Sequence, residues 1–372
     1  MKPRHYFPLG KAYGEAFCNR KEETQTLLGN LENGKHTFLV SPRRYGKSSL
    51  CEHVFTLTAL SRSKLDFHLA INEKDVERII ISGVTELIGK AIGRVEKLLV
   101  ALKKYTKRLK PKFSVGTENF HLELEIANDS SPAENIAEAL LLLDKLLQKR
   151  NKQAILLFDE FQEIAQIEAG KSIEGAIRHV GQETRKLSFI FSGSNSHVLK
   201  GMFEDERRPL YKLCRKLMLG RINEVHYQAH LNKAAKAMWN QNLKPEVFNR
   251  IMGLSERHPY YVNYLCDILW SEHKVIPEVN HVDEAWDIVV EEERSDLLKD
   301  FFMLTENQRK LLIYIASQNA ETIYSDEAAK QMDLPISSIS RGLNSLIEKG
   351  YIEKTHEQYQ LIVPIYKKLL KT

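Results

Sequence analysis

The sequence predicts an α/β protein in which a parallel-sheet core carries a phosphate-binding loop and is followed by a helical lid and a winged helix-turn-helix. Three observations lead to this fold class. A Gly-Lys-Ser loop follows the apolar run 37–40, a second apolar run ends in the paired carboxylates Asp159 and Glu160, and short helical patterns followed by a hairpin pattern fill residues 301–361. Strands that alternate with helices in this way are typical of a sheet covered by helices.

The composition is that of a folded protein with two or three domains. The chain has 372 residues, 43% of them hydrophobic, and a formal net charge of +5, which permits contact with nucleic acid without requiring it. Its start joins no basic stretch to an apolar run, and no apolar run approaches the roughly 18 residues of a membrane span. We therefore expect a cytoplasmic protein without membrane insertion. The four cysteines lack metal-ligand and disulfide spacing, which excludes a zinc-finger or disulfide-rich class.

The first element is a helix with a polar lead-in. Apolar residues at 27, 28 and 31 predict a helix that opens at residue 21, and Asn19 is a suitable N-cap for it. The lead-in, which includes Asn19 and Arg20, either wraps an adenine ring or is a plain N-terminal arm.

The phosphate-binding loop is predicted at residues 41–48. In the pattern G-x-x-x-x-G-K-[ST], backbone N–H groups surround nucleotide phosphates, the Lys reaches the terminal phosphates and the hydroxyl holds Mg²⁺. Ser41 stands where the first Gly belongs, and because only Gly takes a positive φ without steric cost, the loop geometry is left open. The residues predicted to contact the nucleotide are Pro42, Arg43, Arg44, Tyr45, Gly46, Lys47, Ser48 and Ser49, with Lys47 catalytic and Ser48 also a metal ligand.

Beyond the loop, helical and extended patterns alternate. We expect a helix over 50–60, an extended segment over 65–71 and a long helix over 76–109. The basic run 103–112 at its end is either a solvated helix end or a contact for phosphate backbones. Alternating apolar residues at 113–115 and 120–126 predict a hairpin, and Ser131 is expected to cap a further helix.

Two carboxylates at the end of an apolar strand form the second motif. Residues 154–158 are continuously apolar and lead into Asp159 and Glu160, as a Walker B strand does. Such a strand delivers Asp159 to the water shell of Mg²⁺ beside Ser48. Glu160 then orients or deprotonates the water that attacks the γ-phosphate.

The next predicted strand, 187–191, ends in small polar residues. Ligands of parallel sheets sit beyond the carboxyl ends of the strands, so Ser194 or Asn195 contacts a phosphate or the attacking water. The alternative is a plain Ser-rich turn.

A fifth strand is expected near 214–219, and three arginines lie before or within it. An Arg at a subunit edge supplies charge to the transition state of a neighbouring copy, or else makes surface ion pairs. The three are Arg207, Arg208 and Arg215, of which Arg215 is the predicted catalytic residue.

Four helical patterns fill residues 223–294 and predict a lid or bundle. His258 and Pro259 stand at the start of one of them, where Pro is tolerated in the first turn. His258 either reaches a phosphate or caps the helix.

The last region looks like a winged helix-turn-helix. Helix two is expected at 325–332, helix three at 336–349, and the wing at 351–354 paired with 358–361. The helix-three residues expected to face outward, toward phosphates or base edges, are Ser337, Ser338, Ser340 and Arg341. That face carries only one Arg, and Glu353 and Glu357 on the wing are unfavourable to DNA. Two alternatives therefore stay open: DNA binding and protein docking.

With these motifs placed, the chain resembles the archaeal-type ATPases of the STAND and AAA+ class, which are distantly related to origin-recognition ATPases. The resemblance rests on the lead-in 17–23, the loop 42–48, the Asp159-Glu160 strand, the pairs Gly193-Ser194 and His258-Pro259, and the winged helix. The family has Gly where this chain has Ser41, and Gly where it has Arg257. The resemblance implies ATP and Mg²⁺ as cofactors, slow hydrolysis, and a lid or winged helix that moves with the nucleotide.

The predicted domains are an ATPase core over 1–222, a helical lid over 223–298 and a winged helix over 299–372. Our first functional hypothesis is a P-loop ATPase that acts as a nucleotide-dependent switch. The alternatives are a DNA-binding regulator with a structural nucleotide site and a protein-docking scaffold. The partners would accordingly be DNA, another protein or a second copy of the chain.

Overall fold

The computed structural model describes residues 6–92, 109–115, 120–126, 131–317, 322–355 and 358–371. The chain divides into two compact units. The wing unit comprises Met1–Arg20, Pro42–His53 and Gly220–Thr372, and the sheet unit comprises Lys21–Ser41 and Val54–Leu219. The three domain boundaries drawn from the sequence remain predictions.

The described elements as far as residue 218 alternate helices with strands, apart from one hairpin. In chain order they are α1 (Lys21–Glu32), β1 (Thr37–Val40), α2 (Lys47–Thr56), β2 (Ser61–Asp66), α3 (Glu73–Ile92), β3 (Leu109–Val115), β4 (Phe120–Ile126), α4 (Pro132–Lys149), β5 (Ala154–Asp159), α5 (Gly170–Glu183), β6 (Leu187–Phe191), α6 (Ser196–Glu204) and β7 (Arg215–Met218).

The sheet unit is built on a parallel sheet of five strands in the order β2-β5-β6-β1-β7. Every neighbouring pair is parallel. The central strands β1 and β6 are buried along their whole length, and β5 is buried up to its last residue. Burial on both faces explains why these strands are continuous apolar runs in the sequence.

Aromatic rings fill the core around β5 and β6. The ring of Phe158 lies 4.8 Å from that of Phe191 and 5.7 Å from that of Phe161, measured between centroids. Helix α4 packs in the same core, and its predicted cap is confirmed because Ser131 Oγ accepts a hydrogen bond from Glu134 N.

The second strand lies earlier than the sequence predicts. It spans Ser61–Asp66 rather than 65–71, and Leu69 and Ile71 after it are each 83% exposed. Only Ser63 and Leu65 of this strand are buried. A Cβ on Gly83 would lie 2.1 Å from Leu65 Cδ2, so a glycine lets α3 pack closely on this strand. An edge strand with so few apolar residues gives little hydrophobic signal.

The predicted hairpin is confirmed, but the helix before it ends earlier. Strands β3 and β4 pair antiparallel, with Leu109 opposite Ile126. Leu109 is therefore in a strand, and the prediction of helix as far as that residue is wrong. Most of the basic run, residues 103–108, lies outside the described residues, and its last part, 110–112, belongs to β3.

The wing unit holds the helical and winged-helix regions. Its further elements are α7 (Glu224–Trp239), α8 (Pro245–Ser255), α9 (Pro259–Glu272), α10 (Val279–Phe302), α11 (Glu306–Ser317), α12 (Asp326–Met332), α13 (Ile336–Glu348), β8 (Ile352–Thr355), β9 (Gln358–Leu361) and α14 (Tyr366–Leu369). The four lid helices lie in the predicted region, but the last of them, α10, continues to Phe302 instead of ending near residue 294. The winged helix and its wing agree with the prediction. One continuous hydrophobic core joins residues of the lid helices to those of the winged helix.

None of the helices in the described part of the chain is both long enough and apolar enough to span a membrane.

Candidate functional site

The phosphate-binding loop takes the left-handed backbone conformation at two positions. Arg44 has a φ of 62° and Gly46 a φ of 91°. Helix α2 begins immediately afterwards at Lys47, and Leu50 N donates to Gly46 O over 2.9 Å. Ser41 is not among the residues with positive φ. The backbone φ at this position therefore does not require the glycine that the usual pattern has there.

Polar groups of the loop and of the helix start are held in place locally. Lys47 Nζ donates to Pro42 O over 3.3 Å, so the ammonium group lies across its own loop. Ser49 is buried, and its Oγ accepts a hydrogen bond of 3.0 Å from Ala12 N in the N-terminal arm. Ser48 in the first turn is partly exposed.

Arg20 of the N-terminal arm fixes the loop backbone. Its guanidinium donates to Tyr45 O over 3.1 Å and to Gly220 O over 2.8 Å. Asn19 and Arg20 both have left-handed φ angles, and α1 begins at Lys21, so Arg20 rather than Asn19 directly precedes the helix. A contact of either residue with adenine stays a prediction.

Arg43 and Arg44 are both exposed, and Arg44 contacts two lid helices. The Arg44 guanidinium lies 4.1 Å above the ring of Tyr260 in α9 and 3.3 Å from the carboxylate of Glu293 in α10. Tyr260 Oη also donates to Glu293 over 3.0 Å. The Arg44 guanidinium, the Tyr260 side chain and the Glu293 carboxylate thus each contact the other two.

Tyr45 connects the loop to the winged helix. Its side chain is fully buried, and its Oη donates to Glu353 in β8 over 3.0 Å. Arg221 Nε lies 3.2 Å from the same hydroxyl and 3.1 Å from the same carboxylate. The guanidinium also donates to Glu256 Oε2 and to Leu361 O, over 3.0 Å and 2.6 Å. No motif in the sequence indicates Arg221 or Glu353 as partners of the loop, or Glu256 as a partner of Arg221.

His258 is buried beside Tyr45, with 4.7 Å between the two ring centroids. It holds the N-cap position of α9, where Pro259 is the first residue, but its side chain makes no cap hydrogen bond. Nδ1 has no hydrogen-bond partner among the described residues. Burial lowers the pKa of His258 to about 3, with smaller contributions from the charges of Arg221 and Arg44. Its predicted contact with a phosphate remains untested.

Asp159 stands at the end of β5 in the sheet unit, where the sequence predicts it. Its Oδ2 lies 2.6 Å from Lys64 Nζ, and its Oδ1 accepts a 2.5 Å hydrogen bond from Ser192 Oγ. Burial alone would raise the pKa of Asp159, but the bonds from Lys64 and Ser192 reverse the effect and hold the pKa below its ordinary value. The carboxylate is therefore ionised at neutral pH.

Glu160 follows in the left-handed conformation, with a φ of 51°. Its Oε2 accepts hydrogen bonds from Gln162 Nε2 over 2.6 Å and from Ser194 N and Oγ over 3.1 Å and 2.8 Å. A Cβ on Gly193 would lie 1.8 Å from Gln162 Oε1, so a larger residue there would have to displace the Gln162 side chain. Ser194 thus orients Glu160 in the structure, and Asn195 caps α6 by accepting from Val198 N.

The three arginines before and within β7 have different surroundings. Arg207 forms an exposed ion pair with Asp205 over 2.9 Å, and Arg208 pairs with the fully buried Glu174. Arg207 thus matches the surface ion-pair alternative, whereas the partner of Arg208 is buried. Arg215 begins the edge strand β7 with an exposed side chain, and its action on a neighbouring copy stays a prediction.

Helix α13 presents part of its predicted polar face. Ser337 and Arg341 are exposed, whereas Ser338 and Ser340 are partly buried. Arg341 Nε donates to Ser337 O over 3.3 Å. Glu353 of the wing is engaged with Tyr45 and Arg221, and Glu357 lies outside the described residues.

Comparison with known proteins gives one family and several similar folds. A family described as a probable winged helix domain matches residues 298–372. No curated protein matches the chain in sequence.

Two solved structures are similar over nearly the whole length of the chain. The Walker-type ATPase of Pyrococcus abyssi superposes with a TM-score of 0.69 at 16% identity and covers 98% of this chain and 99% of its own. The Aeropyrum pernix ORC2 protein, solved as ADPNP–ADP complexes, superposes with a TM-score of 0.56 at 14% identity, covering 99% and 96%. Identities this low establish the fold and not the activity. The chain has the fold of a Walker-type P-loop ATPase that ends in a winged helix, and the resemblance to archaeal-type ATPases is confirmed at that level.

Proposed function

We propose that the protein binds ATP and Mg²⁺, hydrolyses ATP, and acts as a nucleotide-dependent switch. The observation that carries the proposal is the loop backbone. Arg44 and Gly46 are left-handed and α2 begins at Lys47, an arrangement typical of loops whose backbone N–H groups bind phosphate oxygens. The similar ORC2 fold, solved with ADPNP and ADP, supports the assignment to adenine nucleotides.

The donor groups fit a nucleotide and Mg²⁺. Lys47 supplies the ammonium group for the terminal phosphates, and the orphaned Nδ1 of His258 is a buried polar group that a ligand can satisfy. Asp159 is ionised and already accepts a cationic group over 2.6 Å. Magnesium in nucleotide sites needs only one or two protein ligands because phosphates and water complete its shell. We assign Ser48 as the direct ligand and Asp159 as a ligand that holds Mg²⁺ through bound water.

Hydrolysis is assigned to Glu160, which we propose positions the attacking water. Three hydrogen bonds from Gln162 and Ser194 fix one carboxylate oxygen and leave the other with no protein donor among these contacts. When bound, Mg²⁺ would neutralise charge on the phosphate oxygens. Arg215 of a second copy is our candidate for transition-state charge in trans.

The nucleotide test compares three variants with the wild type. Lys47→Ala is expected to abolish binding of a fluorescent ATP analogue, whereas Lys35→Ala, an exposed lysine in the turn before β1, should bind normally. Glu160→Gln should keep binding and lose about 100-fold or more in phosphate release. Unchanged binding and turnover by Lys47→Ala would overturn the proposal. Equal losses of binding and hydrolysis in Glu160→Gln would remove Glu160 from the catalytic role.

The switch is supported by the contacts of the loop within the wing unit. Arg44 is bonded to the lid helices α9 and α10, and Tyr45 to the wing strand β8. A ligand that rearranges the loop must therefore act on both elements.

A second candidate function is DNA binding, favoured by the winged-helix match at 298–372 and by the exposed Arg341 on α13. If Arg341 contacts a phosphate, Arg341→Ala should weaken duplex binding and reduce the slope of log affinity against log salt by about one. Fluorescence anisotropy at several salt concentrations measures both. Arg294→Ala, which removes an exposed arginine from α10, is the control, and equal effects of the two changes would rule out α13 as the reading helix.

A further inference from the structure

We propose that Lys64 is a tethered cation that occupies the metal side of Asp159 and has to be displaced when Mg²⁺ binds. The inference rests on the proposed function, because it concerns the carboxylate that we assign to the metal. It adds a residue of β2 that neither the phosphate loop nor the Walker-type strand indicates.

Both acceptor sites of Asp159 Oδ1 are occupied in the structure, whereas Oδ2 has one donor among the described residues, Lys64. Oδ1 accepts from Ser192 Oγ and from Glu160 N, over 2.5 Å and 3.3 Å. Oδ2 accepts from Lys64 Nζ over 2.6 Å. A metal ion or its bound water has to meet this carboxylate at an oxygen, and Ser192 and the backbone of Glu160 already hold Oδ1. Oδ2 is therefore the oxygen at which Mg²⁺ and Lys64 compete.

A second carboxylate is available to receive the displaced lysine. Lys64 Nζ lies 3.4 Å from Asp66 Oδ2, and Asp66 stands beside Asp159 in the register of β2 and β5. The Lys64 side chain is 38% exposed and that of Asp66 is 55% exposed, whereas Asp159 is only 14% exposed. A flexible four-carbon stem lets the ammonium group move from the buried to the exposed carboxylate without losing its ion pair.

The two states of Lys64 have opposite effects on nucleotide binding. Without metal, Lys64 compensates the negative charge of Asp159 and lessens its repulsion of the phosphates. With Mg²⁺ present, the same ion pair has to be broken before Asp159 serves the metal. Partly exposed ion pairs are modest in strength, which corresponds to an expected effect of about two- to fivefold in each direction.

The experiment measures the affinity for fluorescent ADP, so that turnover plays no part. Wild type, Lys64→Met and Lys64→Arg are titrated in EDTA and then across a Mg²⁺ series. Lys90→Met is the matched control, because Lys90 forms an ion pair with Glu86 on α3, in the same unit but with another carboxylate. Thermal unfolding of each variant shows whether it is folded.

We expect Lys64→Met to bind ADP about two- to fivefold more weakly than wild type in EDTA and to need about two- to fivefold less Mg²⁺ for half-saturation. Lys64→Arg keeps a cation and should resemble wild type in EDTA. Weaker ADP binding in EDTA together with a lower Mg²⁺ requirement distinguishes this role from a structural one. A damaged fold would weaken ADP binding both in EDTA and in Mg²⁺. An unchanged Mg²⁺ dependence in a folded Lys64→Met protein overturns the inference alone. A wild type that binds no ADP overturns the proposed function itself.

Discussion

His258 is held neutral by the residues around it. The side chain is 1% exposed, its ring lies between Tyr45 and Tyr261, and burial together with the charges of Arg221 and Arg44 lowers its pKa to about 3. Protonation would place a further positive charge in a site that already holds two guanidinium groups. The unfolded chain has no such restriction, so the two states differ in proton affinity.

This difference predicts that folding stability falls in acid. The folded pKa is below the ordinary value of 6.5, so the unfolded state takes up the proton first. The contribution of His258 is therefore present above pH 6.5 and is lost as the pH falls toward 3. Between pH 7 and pH 5 it amounts to about 2 kcal/mol. Urea unfolding at both pH values should show that His258→Gln loses about this much less stability than wild type.

His179→Gln is a suitable control, because it removes an exposed histidine from α5. His230 is also buried, with its pKa lowered to about 4 mainly by burial, so some acid sensitivity should persist in the His258 variant. The interpretation fails if His258→Gln and wild type lose the same free energy of unfolding between the two pH values.

Among the elements, the strands buried on both faces were the easiest to predict. Strands β1, β5 and β6 are continuous apolar runs, and their ends carry the predicted Gly-Lys-Ser loop, the carboxylate pair and the Gly-Ser turn. Strand β2 was misplaced because only Ser63 and Leu65 are buried in it. The end of the helix at residue 109 was also misplaced, because Leu109 pairs with Ile126 in a hairpin and residue pairing does not appear in a helical periodicity.

The phosphate-binding loop also shows that a sequence pattern indicates local features and not long-range contacts. The pattern indicates Gly46, Lys47 and Ser48, whose predicted roles depend on local backbone chemistry. It did not identify the bond between Tyr45 and Glu353, because these residues are 308 positions apart and meet only when the wing unit folds. The polar strand end is similar: the sequence predicts that Ser194 or Asn195 contacts a phosphate or the attacking water, but it does not indicate that the hydroxyl and N–H of Ser194 both donate to Glu160.

On the scale of the molecule, Arg221 joins regions that the sequence analysis assigns to three domains. Its guanidinium contacts Tyr45 of the loop, Glu256 at the end of α8, and Glu353 and Leu361 of the wing. The side chain is only 7% exposed. Because the charges it pairs are largely removed from water, loss of one partner leaves another uncompensated. A movement of the loop, the lid or the wing should therefore change the Arg221 contacts of the other two.

Tyr45→Phe tests this coupling while keeping the ring that packs on His258. Loss of the hydroxyl removes one bond to Glu353 and one from Arg221, and should lower the free energy of unfolding by about 1 kcal/mol. Tyr351→Phe removes a hydroxyl from the winged helix that donates to Asp300 O and does not reach the loop. We expect nucleotide to alter amide hydrogen exchange in β8 and β9 of wild type and of Tyr351→Phe, and to alter it much less in Tyr45→Phe. If nucleotide changes exchange in β8 and β9 equally in all three proteins, the Tyr45 hydroxyl does not transmit the state of the loop to the wing.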